Sequence, residues 1–504
     1  MEKIIRNPAA AAREKYDLII IGGGVYGIML AFEATRRKLR PLLVEKEDFG
    51  GATSANSLRI VHGGLRYLQS LDLHRFRESV GERRWFLRTF PKMVSIMPCL
   101  MPLYGEGLHR PAILRAALQI NDFLSREKKR GSLNAGDFPK GKVVSADETR
   151  NIFPQVNQRR LKGGAIWYDG FIPDPQRVLV TVLRSSCMFG ATALNYVEAN
   201  DLLKTGKGVA GVVAIDGETG LPHEFRAPVV INATGPWCRD LSTQLDRDIP
   251  RLFNGSIAWN VLLNRKALCE HAVAVSPKVR GSQTYFLVPW KGMLLAGTGH
   301  AQRTKMIHPP IISRQEMDSF LEGINLSVNS LEISRNDVLR VFAGYLPVTD
   351  TGGTRLTDRE VIVDHGENGG PRGLFSVSGI KFTTARLVAQ KTLKRIFPGR
   401  YTQGDDISMV ISDDGKENLG VFDFHWSPNG SESDWKNQLQ VIHEEESVVH
   451  LDDLILRRTS LGDNPERAVN IAPEICSLLG WDESRKATEI VKVVRKYETE
   501  RNIG

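Results

Sequence analysis

The first strand–turn–helix–strand unit constrains the fold of this chain more than any other feature. The isoleucine-rich run DLIII is typical of a buried parallel strand, and Gly22, Gly24 and Gly27 follow it, ahead of an apolar segment with helical periodicity. In this context the glycines permit a tight turn, the approach of a pyrophosphate to the helix N-terminus, and close packing of helix on strand. Glu45 and the adjacent Lys46 end the next strand, where a carboxylate can accept hydrogen bonds from ribose hydroxyls. The unit therefore predicts a Rossmann-like α/β domain that binds a dinucleotide.

Two later strand-to-glycine transitions indicate which dinucleotide. INATG and SGIKFTTAR contribute the candidate cofactor residues Thr234, Gly235, Gly379, Lys381, Thr383 and Thr384. The second segment leads into a helix whose N-terminus, with Lys381, can stabilise the negative charge of a reduced flavin. An ordinary helix cap with a surface lysine explains the same pattern. Because the first unit opens the chain, its partners lie far downstream, and no convincing second G-x-G-x-x-G is present, the order favours FAD over NAD.

The stretch NSLRIVHGGLRYLQ places a histidine, two arginines and a tyrosine around a glycine pair. Among these, Arg66 offers a planar donor fork for phosphate or carboxylate, and His62 is the side chain most easily poised as a general base near neutral pH. The alternatives are a structural ion pair for Arg66 and a capping or core role for His62. Tyr67 adds a further donor beside them.

Composition limits the partners and the compartment. The chain has 504 residues and a net charge of +9, a mild excess that fits an anionic cofactor or substrate, an anionic membrane surface, or generic surface charge. Its five cysteines are scattered and never in CxxC spacing, so we expect no disulfide framework, no metal site and a reducing compartment. No apolar run predicts a signal peptide or a membrane span.

The order of segments predicts a discontinuous two-domain architecture with a C-terminal addition. We assign residues 1–15 to an N-terminal extension, 16–70, 160–250 and 341–400 to the FAD-binding domain, and 71–159 and 251–340 to a largely antiparallel substrate domain. A polar linker at 401–436 precedes a helical C-terminal domain at 437–504. The fold class is thus α/β with an interleaved antiparallel-sheet domain and a helical cap.

Several of these motifs together resemble one family. IIIGGGVYG, ATSANSLRIVHGGLRYLQ, INATGPW, SVSGIKFTTAR and DDLILRRTSLG occur in the same order in FAD-dependent glycerol-3-phosphate dehydrogenases, which belong to the D-amino-acid-oxidase-like flavoproteins. The resemblance implies a two-domain flavoprotein that oxidises a secondary alcohol and passes electrons to a quinone at the membrane. It also implies that Thr53, Ser54 and Ser57 line FAD. By the same resemblance, His62, Arg66 and Tyr67 lie near the substrate, and Lys381 and Thr383 lie by the ring.

The substrate-side motifs depart from the family pattern. The usual GVRPL, whose arginine helps hold the substrate anion, reads GYLPV here, with Leu346 in the place of the arginine. The usual Lys-Gly-Ser-His reads NGSI and the usual Gly-Thr-Thr-Asp reads GTGH. Either Arg355 or Arg359 just downstream replaces the lost cation, or the substrate differs.

The leading hypothesis is a flavin dehydrogenase acting on glycerol 3-phosphate, with catalytic candidates His62, Arg66, Tyr67 and Lys381. The alternatives are the same chemistry on another polyol phosphate, a hydroxy acid, an amine or a sugar derivative, and a flavoprotein without catalytic activity. We expect a small anionic substrate, a quinone or other electron acceptor and no nucleic acid, and we leave a homodimer open. The basic run REKKR at 126–130 adds the expectation of peripheral contact with the inner face of the membrane by a cytoplasmic protein.

Overall fold

A computed structural model describes most of the chain. The described residues are 3–65, 67, 72–105, 110–124, 138–277, 282–303, 305–328, 330–348, 356–357, 359–379, 381–400, 419–428 and 434–501. The predicted basic run at 126–130, Arg66 and Arg355 lie outside them.

The described strands are β1 (Leu18–Ile21), β2 (Pro41–Val44), β3 (Ile60–Val61), β4 (Ser95–Leu103), β5 (Lys142–Val144), β6 (Gly163–Phe171), β7 (Thr192–Leu194), β8 (Val197–Thr205), β9 (Gly208–Asp216), β10 (Pro222–Arg226), β11 (Val230–Asn232), β12 (Gly255–Lys266), β13 (Ala272–Val275), β14 (Tyr285–Trp290), β15 (Met293–Gln302), β16 (Val338–Pro347), β17 (Val361–Asp364) and β18 (Leu374–Ser378). The described α-helices are Pro8–Ala11, Val25–Thr35, Ala52–Ala55, Leu73–Thr89, Pro111–Leu124, Ala146–Ile152, Pro175–Met188, Cys238–Leu245, Arg314–Ser327, Ala385–Ile396, Trp435–Glu445, Leu451–Asp453, Pro465–Leu478 and Glu483–Arg501.

A six-stranded sheet in the order β17-β18-β11-β1-β2-β7 forms the dinucleotide-binding layer. Its strands are parallel except for the β17–β18 pair, and β1 and β2 are buried throughout. The helix Val25–Thr35 is buried on nearly every side because the helices Pro175–Met188 and Ala385–Ile396 pack against it. On the opposite face, a three-stranded antiparallel sheet of β8, β9 and β10 completes the core. The predicted Rossmann-like fold is confirmed.

The substrate domain is built on a nine-stranded sheet in the order β16-β12-β15-β14-β13-β4-β6-β3, with β5 added on β6. Its strand pairs are antiparallel, with β13–β4 as the exception. This arrangement fits the largely antiparallel sheet that we expected. The boundaries differ from the prediction at two places. The strand β6 pairs with β4, so residues 163–171 belong to this sheet although we assigned them to the FAD-binding domain, and β16 crosses the predicted boundary at 341.

The C-terminal residues form a helical cap around a core of their own, and the predicted linker already contributes to it through Phe422. The cap docks on the helix Pro175–Met188 through a buried carboxylate, Glu446. Arg177 donates to both oxygens of Glu446 at 2.7 and 2.6 Å, and Arg184 donates to one of them at 2.9 Å. None of the described helices has the length and apolar composition needed to cross a bilayer.

Candidate active site

One cavity of about 410 Å³ lies between the six-stranded sheet and the substrate sheet. The predicted residues that line it are Gly22, Gly24, Glu45, Lys46, Thr53, Ser54, Ser57, Thr234, Gly235, Gly379 and Lys381. They come from segments hundreds of residues apart in the chain, and the two sheets bring them together. Gly27 packs behind the cavity, where a Cβ atom would lie 1.8 Å from the carbonyl oxygen of Gly22.

The glycine turn presents a helix N-terminus to this cavity. Gly22 has a φ of +107°, and a Cβ atom there would approach the Ala233 oxygen to 2.7 Å, so only glycine fits without strain. The helix begins after Gly24, which caps it without a side chain, and the Val25 amide donates to Ser54 Oγ at 2.9 Å. The turn thus offers backbone amides and the positive end of a helix dipole to an anion.

Glu45 supports the turn from the end of β2. One oxygen accepts from the Gly23 amide at 2.6 Å and the other from the Glu47 amide at 2.9 Å. Burial raises the pKa of this carboxyl group, although the two amides oppose the shift. Each carboxylate oxygen keeps a further lone pair. Glu45 can therefore hold the turn and also accept hydrogen bonds from ribose hydroxyls.

The segment around Lys381 is fixed by a tyrosine that the sequence analysis did not single out. The Tyr26 hydroxyl donates to the Lys381 carbonyl and accepts from the Lys381 amide, both at 3.2 Å. A Cβ atom on Gly379 would lie 2.1 Å from that hydroxyl, which explains the glycine. The Lys381 ammonium lies 4.1 Å from the ring centre of Tyr67. Tyr67, which the resemblance places near the substrate, is therefore in contact with Lys381, which it places by the ring.

His62 belongs to a buried hydrogen-bonded cluster centred on Asp169, another residue that the sequence analysis missed. His62 Nδ1 lies 3.2 Å from Asp169 Oδ2, and Asp169 also accepts from the Gly63 amide at 2.6 Å, from Arg83 at 3.1 Å and from Trp167 at 3.2 Å. Burial alone raises the pKa of Asp169, but His62, Arg83 and the Gly63 amide together hold that pKa below its usual value. The sequence does contain a sign of this residue: Asp169 is the lone carboxylate in the apolar strand GGAIWYDGF, and a buried charge requires a partner.

Asp169 sets the orientation of His62. An ionised carboxylate can only accept, so Nδ1 carries a proton, and in the neutral form of the imidazole Nε2 then keeps its lone pair. The His62 side chain is 52% exposed, whereas Asp169 is buried. The pair therefore presents a half-exposed imidazole whose Nδ1 is held by Asp169.

The remaining predicted residues lie apart from the main cavity. Tyr67, Thr384 and Arg359 line an adjacent cavity of about 340 Å³, which shares Tyr26 and Lys381 with the first one. Thr383 is buried and lines neither cavity.

Two of the departures from the family pattern, Leu346 and His300, lie on one face of the substrate sheet, whereas Ile257 is buried in the core on the opposite face. Leu346 lines the cavity, and Ser256 is its cross-strand partner. Ser256 Oγ lies 2.7 Å from His300 Nε2 and 2.6 Å from the Ala301 carbonyl oxygen. Burial lowers the pKa of His300. This face therefore carries a leucine and a neutral histidine–serine pair.

The short helix Ala52–Ala55 connects the cavity to the edge of the same sheet. Thr53 Oγ1 donates to the Tyr345 carbonyl at 3.0 Å and accepts from the Tyr345 amide at 3.1 Å, and Asn56 donates to the Ala343 carbonyl at 2.6 Å. These bonds satisfy backbone groups that the edge strand β16 would otherwise leave unpaired. A Cβ atom on Gly344 would lie 2.9 Å from Thr53 Oγ1, so this glycine permits the close approach.

The cavity fits FAD in each of its parts. The helix N-terminus at Gly24 suits the pyrophosphate, and the buried carboxylate of Glu45 suits the ribose. The loops at Gly235 and Gly379 line the same cavity, and Lys381 beside them can supply a cation for a reduced ring.

Comparisons with known proteins agree with this fit. A family model described as FAD dependent oxidoreductase matches residues 17–395. The chain is 28% identical to glycerol-3-phosphate dehydrogenase of Synechocystis sp. over 407 residues, which cover 78% of this chain and 72% of that protein. It is 30% identical to mitochondrial glycerol-3-phosphate dehydrogenase of Homo sapiens over 396 residues, 75% of this chain and 52% of that protein.

The match therefore spans about half the length of the human protein. Among solved structures, glycerol-3-phosphate dehydrogenase from Bacillus halodurans complexed with FAD superposes with a TM-score of 0.73 at 20% identity, covering 98% of this chain and 97% of that one. The likeness of fold thus extends through the helical cap.

Proposed function

Because the chain belongs to the FAD-dependent oxidoreductase family and its cofactor is FAD, we propose that it oxidises the secondary alcohol of a small anionic polyol, nominally glycerol 3-phosphate to dihydroxyacetone phosphate. The observation that carries this proposal is the convergence of the flavin-side segments and the substrate sheet on one cavity. His62 is not among the residues that line this cavity, so its role is proposed from its pairing with Asp169 and from the resemblance to the family. The names of the relatives from Synechocystis sp. and Homo sapiens support the nominal substrate.

We assign the proton transfer to His62. Bound FAD supplies the two-electron acceptor that takes a hydride from the carbinol carbon. Oxidation of an alcohol also releases the hydroxyl proton, and the neutral form of His62 can accept it at Nε2 because Asp169 holds the other proton on Nδ1. The ammonium of Lys381 contributes positive charge beside the ring site.

The Asp169–His62 pair has a direct test. Asp169→Asn can donate to His62 and so favours the wrong tautomer, while it keeps the size of the side chain. We expect the rate of flavin reduction to fall by about 10²–10⁴, the typical contribution of a general base, with the flavin content unchanged. A reduction rate equal to that of the wild type would exclude His62 as the base.

The face of the substrate sheet that carries Leu346 supports a second candidate function, which is the same flavin chemistry on a different alcohol or amine. Leu346 cannot donate to an anion, and a lost charge-assisted hydrogen bond weakens binding by about ten- to a hundredfold. His300 and Ser256 beside it bond to each other and are not among the residues that line the cavity, so they do not replace the missing cation there.

Anaerobic mixing of the holoprotein with polyol phosphates, hydroxy acids, amines and sugar derivatives separates the two candidates. Fastest bleaching of the flavin by glycerol 3-phosphate supports the nominal substrate, and fastest bleaching by another compound supports the second candidate. If the wild type is slow with glycerol 3-phosphate and Leu346→Arg reduces the flavin faster with it, the missing arginine is the cause of the slow reaction. If the wild type is already fast and Arg355→Ala or Arg359→Ala abolishes turnover, one of those residues holds the anion.

We further propose that electrons pass to a quinone at a membrane surface, where the helix Pro111–Leu124 docks. Leu114 and Leu118 of this helix are buried in the substrate domain, whereas Ile113 and Ile120 on the other face are 41% and 51% exposed. The basic sequence at 126–130 follows shortly after. An apolar face next to basic residues suits an anionic lipid surface.

Flotation with anionic liposomes tests this docking. The wild type should float at low salt and less so at high salt, because salt screens the charges. The double change Ile113→Ser and Ile120→Ser should reduce flotation, whereas Ile215→Ser, at an exposed isoleucine of the distant β9, should not. Equal flotation of all three proteins would contradict the proposal.

A further inference from the structure

A buried row of hydrogen bonds runs from the end of the helix Cys238–Leu245 to the wall of the flavin cavity. Asp246 follows this helix, and its Oδ2 lies 2.8 Å from Nδ1 of His365, the residue after β17. On the other side of the imidazole, His365 Nε2 lies 2.9 Å from Ser376 Oγ in the middle of β18. No step of the proposed oxidation uses these three residues.

The row has the order of groups found in serine hydrolases, but it cannot act on a substrate. A nucleophilic serine must be open to the molecule that it attacks. His365 and Ser376 are both 0% exposed, and neither is among the residues that line the flavin cavity. The role of the row is therefore internal, and its hydrogen bonds continue beyond the serine.

Asn232 connects the serine to the cavity wall. It is paired with Ser376 across the neighbouring parallel strands β11 and β18. Its Nδ2 donates to Ser376 Oγ at 3.3 Å and to the Cys238 carbonyl at 2.7 Å. Its Oδ1 accepts from the amide of Thr234 at 3.3 Å and from the hydroxyl of Thr234 at 2.8 Å. Because a carbonyl only accepts and a backbone amide only donates, these partners fix the orientation of the Asn232 amide.

The fixed amide gives the whole row one direction. Because Ser376 Oγ accepts from Asn232, its own O–H can donate to His365 Nε2. The Nδ1–H of His365 then donates to the carboxylate of Asp246. A buried network in which every member has a partner is rigid, because any other arrangement leaves a polar group unpaired. The row therefore favours a single hydrogen-bonding state of Thr234.

Thr234 is the point at which the row reaches the cofactor site. It lines the flavin cavity, and its Cα would lie 3.0 Å from a Cβ atom on Gly22 of the first glycine turn. Since its amide and its hydroxyl both donate to Asn232, this residue offers only acceptor oxygens to a ligand. The place and the hydrogen-bonding character of this part of the wall thus depend on the row behind it.

We propose that His365 is a positioning residue for FAD. Acting through Ser376 and Asn232, it holds Thr234 in the arrangement that receives the cofactor. A wall that is already ordered loses less conformational entropy when the ligand binds, so FAD is retained more tightly. The proposal concerns the retention of the cofactor and not the choice of substrate, so its test is independent of the proposed oxidation.

The first test is the dissociation constant of FAD, measured from the flavin fluorescence of the diluted holoprotein. Ser376→Ala removes the hydroxyl that joins His365 to Asn232, and it should weaken FAD binding by about tenfold, as expected for one hydrogen bond. The matched control is Ser186→Ala, which removes a buried hydroxyl that donates to the Val182 carbonyl in a helix of the same domain and should leave the constant unchanged. If Ser376→Ala retains FAD as tightly as Ser186→Ala does, the proposal fails.

A double-mutant cycle separates positioning from a general loss of stability. Thr234→Val removes the hydroxyl at the end of the row, so Ser376→Ala should weaken FAD binding much less in that background than in the wild type. A serine that acted only through overall stability would weaken binding by the same factor in both backgrounds, and that result would overturn the proposal. His365→Phe should match Ser376→Ala in FAD affinity if it folds with its flavin, and wild-type affinity would exclude the histidine. The cycle decides the matter if it does not fold.

Discussion

At the scale of single residues, the glycines of the first turn serve different physical purposes. Gly27 allows the helix to pack on the turn, since a Cβ atom there would overlap the Gly22 oxygen at 1.8 Å. A Cβ atom on Gly24 would lie 3.2 Å from Ser54 Oγ, a close contact that a small shift of Ser54 relieves, but that atom would stand in the cofactor cavity.

These purposes predict separable effects of substitution. Gly24→Val should fold but lose FAD, because its side chain fills the space in front of the helix N-terminus. Gly27→Ala should lower the free energy of unfolding by about 1–3 kcal/mol or more, through overpacking against backbone. The ratio of flavin to protein absorbance and the midpoint of urea unfolding measure the two effects. Full flavin retention in Gly24→Val would contradict the cofactor assignment.

At the scale of elements, the contact between the helix Ala52–Ala55 and the edge strand β16 links the flavin site to the substrate sheet. Thr53→Val removes the hydroxyl that satisfies both backbone groups of Tyr345, and an unsatisfied buried group costs about 1–3 kcal/mol. We expect Thr53→Val to lower the unfolding free energy by at least that amount and to release FAD more readily, whereas Thr53→Ser keeps both properties. Equal stability of the two variants would show that the contact is dispensable.

The helices Leu73–Thr89 and Ala385–Ile396 are joined by a carboxylate whose ionisation is unfavourable. Arg386 donates to Glu82 at 2.6 and 3.1 Å, yet burial outweighs this pairing and raises the pKa of Glu82 to about 7. The ordinary pKa of an unfolded glutamate is about 4.3, so between these values the folded state binds more protons than the unfolded state. The contribution of Glu82 to stability is therefore present at low pH and is lost as the pH rises through about 7.

Glu82→Gln should remove this pH dependence. Relative to the variant, the wild type should lose about 1–3 kcal/mol of unfolding free energy between about pH 4.5 and pH 8, measured by urea unfolding. Identical pH profiles for the two proteins would mean that Arg386 keeps Glu82 ionised throughout.

At the scale of the whole molecule, the cap depends on the buried pairing of Glu446 with Arg177 and Arg184. Glu446→Gln leaves two buried cations without a countercharge, and breaking a buried pair costs about 3–5 kcal/mol. Faster proteolytic release of the cap and a lower Tm should follow. The control is Glu474→Gln, which breaks an exposed pair with Lys436 on the same cap and should change stability by less than about 1 kcal/mol. Equal effects of the two changes would contradict a structural role for the buried pair.

The sequence predicted those parts of this architecture that depend on local pattern. The glycine turns, the flanking strands and the flavin-side residues all lie in short segments whose spacing has a physical meaning. Most of the predicted cofactor residues line one cavity, whereas Gly27, Thr383 and Thr384 do not. The residues that were missed act across long separations. Asp169 meets His62 from 107 positions away, and Tyr26 meets Lys381 from 355. The assignment of β6 to the wrong domain has the same origin, because a strand's sequence does not specify its partner in the sheet.

The most direct test of the proposed function is the stoichiometry of one anaerobic turnover. The holoprotein is mixed with one equivalent of glycerol 3-phosphate while flavin absorbance and dihydroxyacetone phosphate are both measured. We predict that the flavin bleaches, that one ketone forms for each flavin reduced, and that a soluble quinone analogue restores the oxidised spectrum. A flavin that stays oxidised with glycerol 3-phosphate and with every other alcohol tested would contradict the account.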